Sequence, residues 1–268
     1  MTMVRSVPIL GRILAIVLGV IVTLYMLVPL MVVAGASVGE NRFLTFPGQG
    51  FTLDWYVEAL TSDTYLEPFR LSLLVGIAVA ILAAAIGTAA ALALTRFKVP
   101  GGAAIQALLM SPLTIPTIIL AIGALSIASL TIGSPNVGVL IAIHIVIAIP
   151  YVMRTVTGVM TRADHFTEEA ARTLGASTWN RYRLVVLPIA RPGIAAGAFF
   201  AFNISFDDAV IALFLRTPQL ETLPIAIYGQ LEFSTSPTVA AVSTLMVLLT
   251  VVLMIVLERI IGLGRLFV

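Results

Sequence analysis

Six apolar stretches dominate the sequence, and each is long enough to cross the hydrocarbon core of a lipid bilayer. That core is about 30 Å thick and takes about 20 helical residues to span. The stretches lie near residues 10–35, 71–95, 104–129, 137–157, 193–215 and 238–261. Hydrophobic residues make up 60% of the chain and charged residues 10%, against about 25% charged residues in a typical soluble domain. The sequence therefore predicts an all-α integral membrane protein with six transmembrane helices.

Two of the stretches have features that bear on their boundaries. Pro112 and Pro116 interrupt the third stretch, so we expect its helix to be broken there. Arg5 and Arg12 give the first stretch a basic start, as in a signal peptide. Its apolar run is about twice the length of a usual signal core, so we expect it to remain as a membrane helix.

The composition excludes several kinds of chemistry. The chain has no cysteine and therefore neither a disulfide framework nor a thiolate. His165 has no second His or Cys nearby, and His144 is expected to form a hydrogen bond between helices, so no metal site is predicted. No Ser/His/Asp array with catalytic spacing is present, and no G-x-x-x-x-G-K-[ST] loop. We therefore expect no catalytic residue, and no cofactor on this chain. The net charge of +2 gives no reason to expect nucleic acid as a partner.

The basic residues are distributed unevenly between the two sets of helix ends. Only Arg42, Arg70 and Arg216 fall at one set of ends, and the remaining 12 of the 15 fall at the other. These 12 are Arg5, Arg12, Arg96, Lys98, Arg154, Arg162, Arg172, Arg181, Arg183, Arg191, Arg259 and Arg265. The positive-inside rule places this second set, and with it both termini, in the cytoplasm.

The external segments and the second helix carry weaker signals. Residues 53–60 are predicted to form a short interfacial helix with Trp55 and Tyr56 at headgroup depth. The external loop 216–237 is expected to form a gate or to contact a solute-delivering protein, and the alternative is a plain connector. In the second helix, small residues at spacing four favour packing within the chain over a moving interface between subunits. They are Gly76, Ala80, Ala84, Ala83, Gly87 and Ala91.

The longest polar segment on the cytoplasmic side is the 162–191 loop. Residues 167–174 are predicted to form a short helix with Thr167 as its N-cap, and Gly175 is predicted to end it. A second short helix starts at Ser177 and is predicted to stop at Leu187-Pro188. Such a helix–glycine–helix arrangement is suited to insertion in a groove of a partner protein. The alternative is a basic amphipathic loop that lies on anionic lipid.

The spacing within this loop resembles the EAA loop of binding-protein-dependent ABC importer permeases. The pattern is Glu169-Ala170-Ala171, three residues, Gly175, nine residues, Val185, one residue and Leu187-Pro188. The family more often has Ile at the position of Val185. The resemblance implies that the loop is a coupling helix which docks on a cytoplasmic ATPase. The residues implied in coupling are Glu168, Glu169, Ala170, Ala171, Gly175, Trp179, Leu187 and Pro188.

The same resemblance implies an architecture and a set of partners. The fold is that of a type I importer permease: an N-terminal helix and external loop over residues 1–69, a five-helix core over 70–262, and a tail over 263–268. The partners are a homologous permease subunit, two copies of an ABC ATPase that bind ATP and Mg, and a periplasmic or extracellular solute-binding protein. Membrane lipid is the surrounding solvent. The location implied is the bacterial inner membrane.

A second polar cluster lies within the fifth apolar stretch. It consists of Asn203, Ser205, Asp207 and Asp208. Counted from Gly193, Asp207 lies about 21 Å along the helix, past the membrane midplane. An acid at such a depth costs about 2.5–3.5 kcal/mol on insertion scales. The cluster is predicted to line the path of a cationic solute, and the alternative is a polar lock between helices or with a partner chain.

The sequence that follows this cluster resembles one subfamily in particular. Residues 206–211, Leu223-Pro224-Ile225 and residues 236–241 resemble the second permease subunit of spermidine/putrescine importers. This implies a small organic cation as solute, or alternatively an opine, an aminobutyrate-like amino acid or an aminophosphonate. An ion-coupled secondary transporter or a membrane scaffold are the rival classes, and neither accounts for the 162–191 loop.

Overall fold

The computed structural model describes residues 9–233 and 236–262, and within these the chain is helical throughout its regular structure. This confirms the all-α prediction. Arg5, Arg265 and the predicted tail 263–268 lie outside the described residues. The helices are α1 (Ile9–Ala36), α2 (Asp54–Thr61), α3 (Asp63–Arg96), α4 (Gly102–Met110), α5 (Thr117–Thr131), α6 (Val137–Arg162), α7 (His165–Thr173), α8 (Thr178–Arg181), α9 (Leu187–Phe206), α10 (Val210–Phe214), α11 (Leu223–Phe233) and α12 (Pro237–Ile261).

Five continuous helical stretches of the described chain are long and apolar enough to cross a membrane. They are α1, α3, α6, the run from Thr178 to Phe206, and α12. The third apolar stretch is a bent pair, in which residues 102–113 and α5 meet at 97°. The bend falls at Pro112 and Pro116, as expected for residues that cannot donate the backbone bond of a continuing helix. The pair gives a sixth span if it is taken as one.

The fifth stretch differs from the prediction at both ends. A helix that stops at Leu187-Pro188 is wrong, because α8 continues through a π-helical turn (Tyr182–Val186) directly into α9. In this turn the Leu187 amide donates to the Tyr182 carbonyl, five residues back. In such a turn the backbone hydrogen bonds span five residues instead of four. This change of bonding pattern accommodates Pro188, which has no amide hydrogen to donate.

A helix running to residue 215 is also wrong, since α9 ends at Phe206 and α10 begins only at Val210. The Asp208 side chain accepts a hydrogen bond from the Ala212 amide at 3.0 Å. This local bond competes with the backbone bonds of a continuing helix. Asp207 and Asp208 therefore lie at a helix break, and the prediction that they sit inside a continuous helix is wrong.

The small residues of α3 and α9 allow close packing against α6. A Cβ atom on Gly87 would lie 2.7 Å from the Cβ of Val152, and one on Gly197 would lie 2.8 Å from its Cα. A Cβ atom on Gly76 would lie 3.0 Å from the ring of Phe202 in α9. Because backbones can approach only where side chains are absent, these glycines bring α3, α6 and α9 together. For Gly76 and Gly87 the predicted packing within the chain is confirmed.

The chain divides into two compact units, one within residues 1–62 and 229–248 and the other within 63–228 and 249–268. In the first unit, the short helix predicted over residues 53–60 is confirmed as α2, and its position at the membrane interface stays a prediction. The Trp55 indole donates to the Gly39 carbonyl at 2.7 Å, and the Thr238 hydroxyl donates to Glu58 at 2.8 Å. The boundary at residue 69 remains a prediction.

Candidate functional site

The first half of the 162–191 loop folds as a helix with a glycine terminator. Its N-cap is Asp164, whose side chain accepts from the Phe166 amide at 2.9 Å, so the prediction of Thr167 is wrong. At the other end Gly175 has φ +78°. The Gly175 amide donates to Arg172 at 3.1 Å and the Ala176 amide to Ala171 at 3.0 Å. This is a Schellman motif, and it confirms Gly175 as the helix terminator.

The second half begins at Ser177, as predicted, and the structure shows in addition that the Ser177 side chain caps this helix. The Ser177 hydroxyl accepts from the Asn180 amide at 3.3 Å. From there the helix runs without interruption into the membrane span that ends at Phe206. A displacement of α8 is therefore passed along a continuous helix rather than through a flexible connector.

The 162–191 loop exposes large apolar side chains on what is otherwise a charged segment. Their exposed fractions range from 67% to 87%, and the residues are Phe166, Leu174, Trp179 and Leu184. Of the predicted coupling residues, Glu169, Ala170, Gly175, Trp179 and Leu187 are exposed, and Ala171 and Pro188 are half-buried. Large apolar side chains exposed on a polar loop make this loop a candidate surface for a protein partner.

Glu168 is the exception among the predicted coupling residues, because its carboxylate is held by two arginines of its own chain. Its Oε2 lies 3.0 Å from Arg96 Nε and its Oε1 lies 3.4 Å from Arg181 Nε. Nothing in the sequence pattern predicted Arg96 and Arg181 as members of this cluster. Arg96 lies 72 residues before Glu168 in the chain, and only the packing of α3 beside the loop brings them together.

The structure separates the two acids of the second cluster. Asp208 is directed inwards: its side chain is 9% exposed, and its Oδ2 lies 3.5 Å from Nε2 of the fully buried His144. The other ring nitrogen of His144, Nδ1, lies 2.8 Å from the Ser205 hydroxyl. This contact between α6 and α9 confirms the predicted interhelical hydrogen bond of His144. The three side chains join α6, α9 and the break that follows α9.

Asp207 and Asn203 do not join this buried group. Asp207 is exposed, and its amide donates to the Asn203 carbonyl at 3.0 Å as the last bond of α9. The Asn203 side chain is half-buried and donates to the Phe199 carbonyl at 2.8 Å. The four residues predicted to line a solute path therefore face two different environments. The sequence analysis singled out His144 but had no signal that linked it to Ser205 and Asp208.

The fold and the 162–191 loop define a class of protein: a multi-pass α-helical membrane subunit with a surface for a separate partner. Residues 76–263 match the family described as binding-protein-dependent transport system inner membrane component. The chain belongs to this family. It is therefore the inner-membrane permease subunit of an ABC importer and works with the other components of such a transporter. It is not an enzyme, and ATP hydrolysis is carried by a separate subunit. The predicted family, subunit type and fold are confirmed.

Similar proteins agree with this assignment. The chain is 32% identical to the spermidine/putrescine transport system permease protein PotC of Escherichia coli (strain K12), over 86% of this chain and 87% of that protein. It is 28% identical to the putrescine transport system permease protein PotI of the same strain, over 82% and 81%. It also resembles the crystal structure of a bacterial ABC transporter involved in the import of the acidic polysaccharide alginate. The TM-score is 0.67 at 15% identity, covering 95% of this chain and 99% of that one.

Proposed function

We propose that this permease subunit forms half of the membrane path for a polyamine-like cation, of the spermidine or putrescine kind. The similarity to two permeases of polyamine systems carries the proposal, since one is 32% identical over 86% of this chain. A homologous permease subunit supplies the other half of the path. Two copies of an ATPase, which bind ATP and Mg, dock on the 162–191 loop, and a solute-binding protein delivers the cation from outside.

The position of Asp207 supports a cationic solute. It is exposed at the C-terminal end of the 20-residue helix α9, where the helix dipole places partial negative charge. An exposed carboxylate and the carbonyl end of a helix both attract an ammonium group. Asp208 is occupied with His144, so we assign the solute contact to Asp207 and the support of the helix break to Asp208.

Replacement of Asp207 tests this assignment. We expect Asp207→Asn to raise the KM for polyamine uptake about tenfold, as for the loss of one charge-assisted contact, without changing the amount of assembled complex. The measurement is uptake of labelled putrescine and spermidine by proteoliposomes that contain the complete importer. An unchanged KM in Asp207→Asn would remove this residue from the path.

A second solute has its own support. The chain is 27% identical to the putative 2-aminoethylphosphonate transport system permease protein PhnV of Salmonella typhimurium, over 91% of this chain. That solute carries an ammonium group and an anionic phosphonate. Competition between labelled putrescine and unlabelled 2-aminoethylphosphonate separates the two candidates. If the importer takes up 2-aminoethylphosphonate but not putrescine, the polyamine proposal is overturned.

The orientation is proposed from the positive-inside rule: both termini and the 162–191 loop are cytoplasmic. The chain contains no cysteine, so single introduced cysteines report accessibility without background. Leu174 and Gln219 are both exposed and lie in segments predicted to be on opposite sides. We expect a membrane-impermeant maleimide to label Gln219→Cys in intact spheroplasts and Leu174→Cys only after permeabilisation. The reverse pattern would invert the topology.

A further inference from the structure

Glu168 and Glu169 are neighbours in α7, yet their side chains have opposite surroundings. Glu169 is exposed. The Glu168 side chain is 17% exposed and lies between the Arg96 and Arg181 side chains, which are 7% and 18% exposed. An exposed ion pair adds little to stability, whereas removal of one member of a buried pair leaves a charge without compensation. The largely buried ion-pair cluster of Arg96, Glu168 and Arg181 is therefore costly to break by removal of one member.

The members of this cluster come from three different helices. Arg96 is the last residue of α3, and Arg181 is the last residue of α8. Two residues join α6 to α7, and α8 continues through a π-helical turn into α9. The loop is therefore linked covalently to α6 and α9 alone. Glu168 adds the third helix of the packed core, α3.

An aromatic contact reinforces the same junction. Phe97 and Tyr182 directly follow the two arginines in the sequence. Their rings are stacked, with centroids 6.4 Å apart and planes within 3° of parallel. The Arg181 guanidinium carbon lies 5.7 Å from the centroid of the Tyr182 ring. Stacked rings and a cation over a ring each contribute attraction beyond the burial of area, so the end of α3 is joined to the loop by two adjacent contacts.

We propose that Glu168 is a positioning residue for energy coupling: together with Arg96 and Arg181 it fixes the 162–191 loop to the end of α3. This inference rests on the proposed docking of an ATPase on that loop. The exposed side chains of the loop contact the ATPase, and Glu168 faces the membrane helices. A displacement of the loop then reaches α3, α6 and α9 together, as alternating access by movement of a packed helix group requires.

The test compares variants of the complete importer in proteoliposomes, with the solute imported per ATP hydrolysed as the readout. In Glu168→Gln we expect the ATPase to co-purify and hydrolyse ATP, while import per ATP falls about tenfold through lost coupling. Glu168→Asp keeps the charge and restores part of the loss. A purely structural role would lower the amount of complex and leave import per ATP unchanged.

A matched control lies at the other end of α3. Glu67 forms an ion pair with Arg70 at 2.7 Å, but both side chains are exposed. Glu67→Gln removes the same charge from a pair of the same type, and we expect wild-type import per ATP. If Glu168→Gln does not accumulate in the membrane, Arg96→Lys gives the comparison, because it keeps the charge and replaces the planar guanidinium by a compact ammonium.

Three results would overturn the inference. The first is wild-type import per ATP in Glu168→Gln, or in Arg96→Lys where that variant is used. The second is loss of ATPase co-purification in Glu168→Gln while Glu67→Gln retains it, which would place Glu168 in the docking surface. The third is failure of an ATPase to associate with the unaltered chain, which contradicts the proposed function itself.

Discussion

The packing of α9 on α6 predicts that one added methyl group at Gly193 is costly. A Cβ atom there would lie 2.9 Å from the Thr155 carbonyl oxygen and 2.9 Å from Val156 Cα. Both are backbone atoms of a helix and cannot rotate away. Carbon atoms in ordinary contact lie about 3.5–4.0 Å apart. Gly193→Ala therefore forces the two helices apart by at least about 0.6 Å (3.5 − 2.9) at this point.

The size of the effect follows from two opposing contributions. Overpacking of a well-packed interior costs about 1–3 kcal/mol. Alanine is favoured over glycine within a helix by about 1 kcal/mol. The gain in helix propensity can be measured without the packing cost in Gly158→Ala. Gly158 lies in α6, and a Cβ atom added there has no other atom within 4 Å. Subtraction of one variant from the other leaves the packing cost.

The measurement is the free energy of unfolding of the purified permease in mixed micelles, followed by circular dichroism during titration with SDS. We expect Gly193→Ala to be about 1–3 kcal/mol less stable than Gly158→Ala. Two variants that unfold within about 0.5 kcal/mol of each other would refute the reasoning, because α6 and α9 would then not be in backbone contact at Gly193.

Two further predictions concern the loop and the buried histidine. Gly175→Ala places a Cβ atom at φ +78° and costs about 1–2 kcal/mol of backbone strain; we expect lower ATPase co-purification, and normal co-purification with Gly101→Ala, which has φ +69° outside the loop. Equal co-purification in both would contradict a role for the Gly175 turn in docking. Ser205→Ala removes the hydroxyl beside His144 and is expected to lower the free energy of unfolding by about 1–3 kcal/mol. Thr161→Ala, an exposed hydroxyl bonded to its own helix, is the control and is expected to change it by less than about 0.5 kcal/mol; an equal loss in both would argue against the buried contact.

The sequence predicted the features that depend on interactions between residues close together in the chain. Apolar length predicted the membrane spans because the thickness of the bilayer sets the length of helix required. Gly175 was predicted as a terminator because φ > 0 favours glycine wherever it occurs. The second loop helix was predicted to start at Ser177, and the cap found there needs only an amide three residues away. Each of these features is complete within a few residues of chain.

The same kind of reasoning failed at Leu187-Pro188 and at Asp207-Asp208. Proline was expected to end a helix, but a π-helical turn removed the need for its amide. The two acids were expected in one continuous helix, but Asp208 bonds the Ala212 amide and its carboxylate lies against His144. At both positions the course of the helix depends on which hydrogen-bond or ion-pair partner a backbone or side-chain group has in the folded chain. The pattern of apolar residues does not specify that partner.

By itself, the sequence determined that this chain crosses a membrane as helices and that its longest basic loop has the spacing of an ATPase-coupling segment. Hydrophobic length suffices for the first, and the second rests on the resemblance of the loop to a family pattern. Only the tertiary structure decided which way each acid points. Glu168 and Glu169 are adjacent, as are Asp207 and Asp208, and in each pair one carboxylate is held by partners within the chain while its neighbour is exposed. Those partners, Arg96 and His144, are more than sixty residues away along the chain, so only the packing of α3, α6 and α9 brings them into contact.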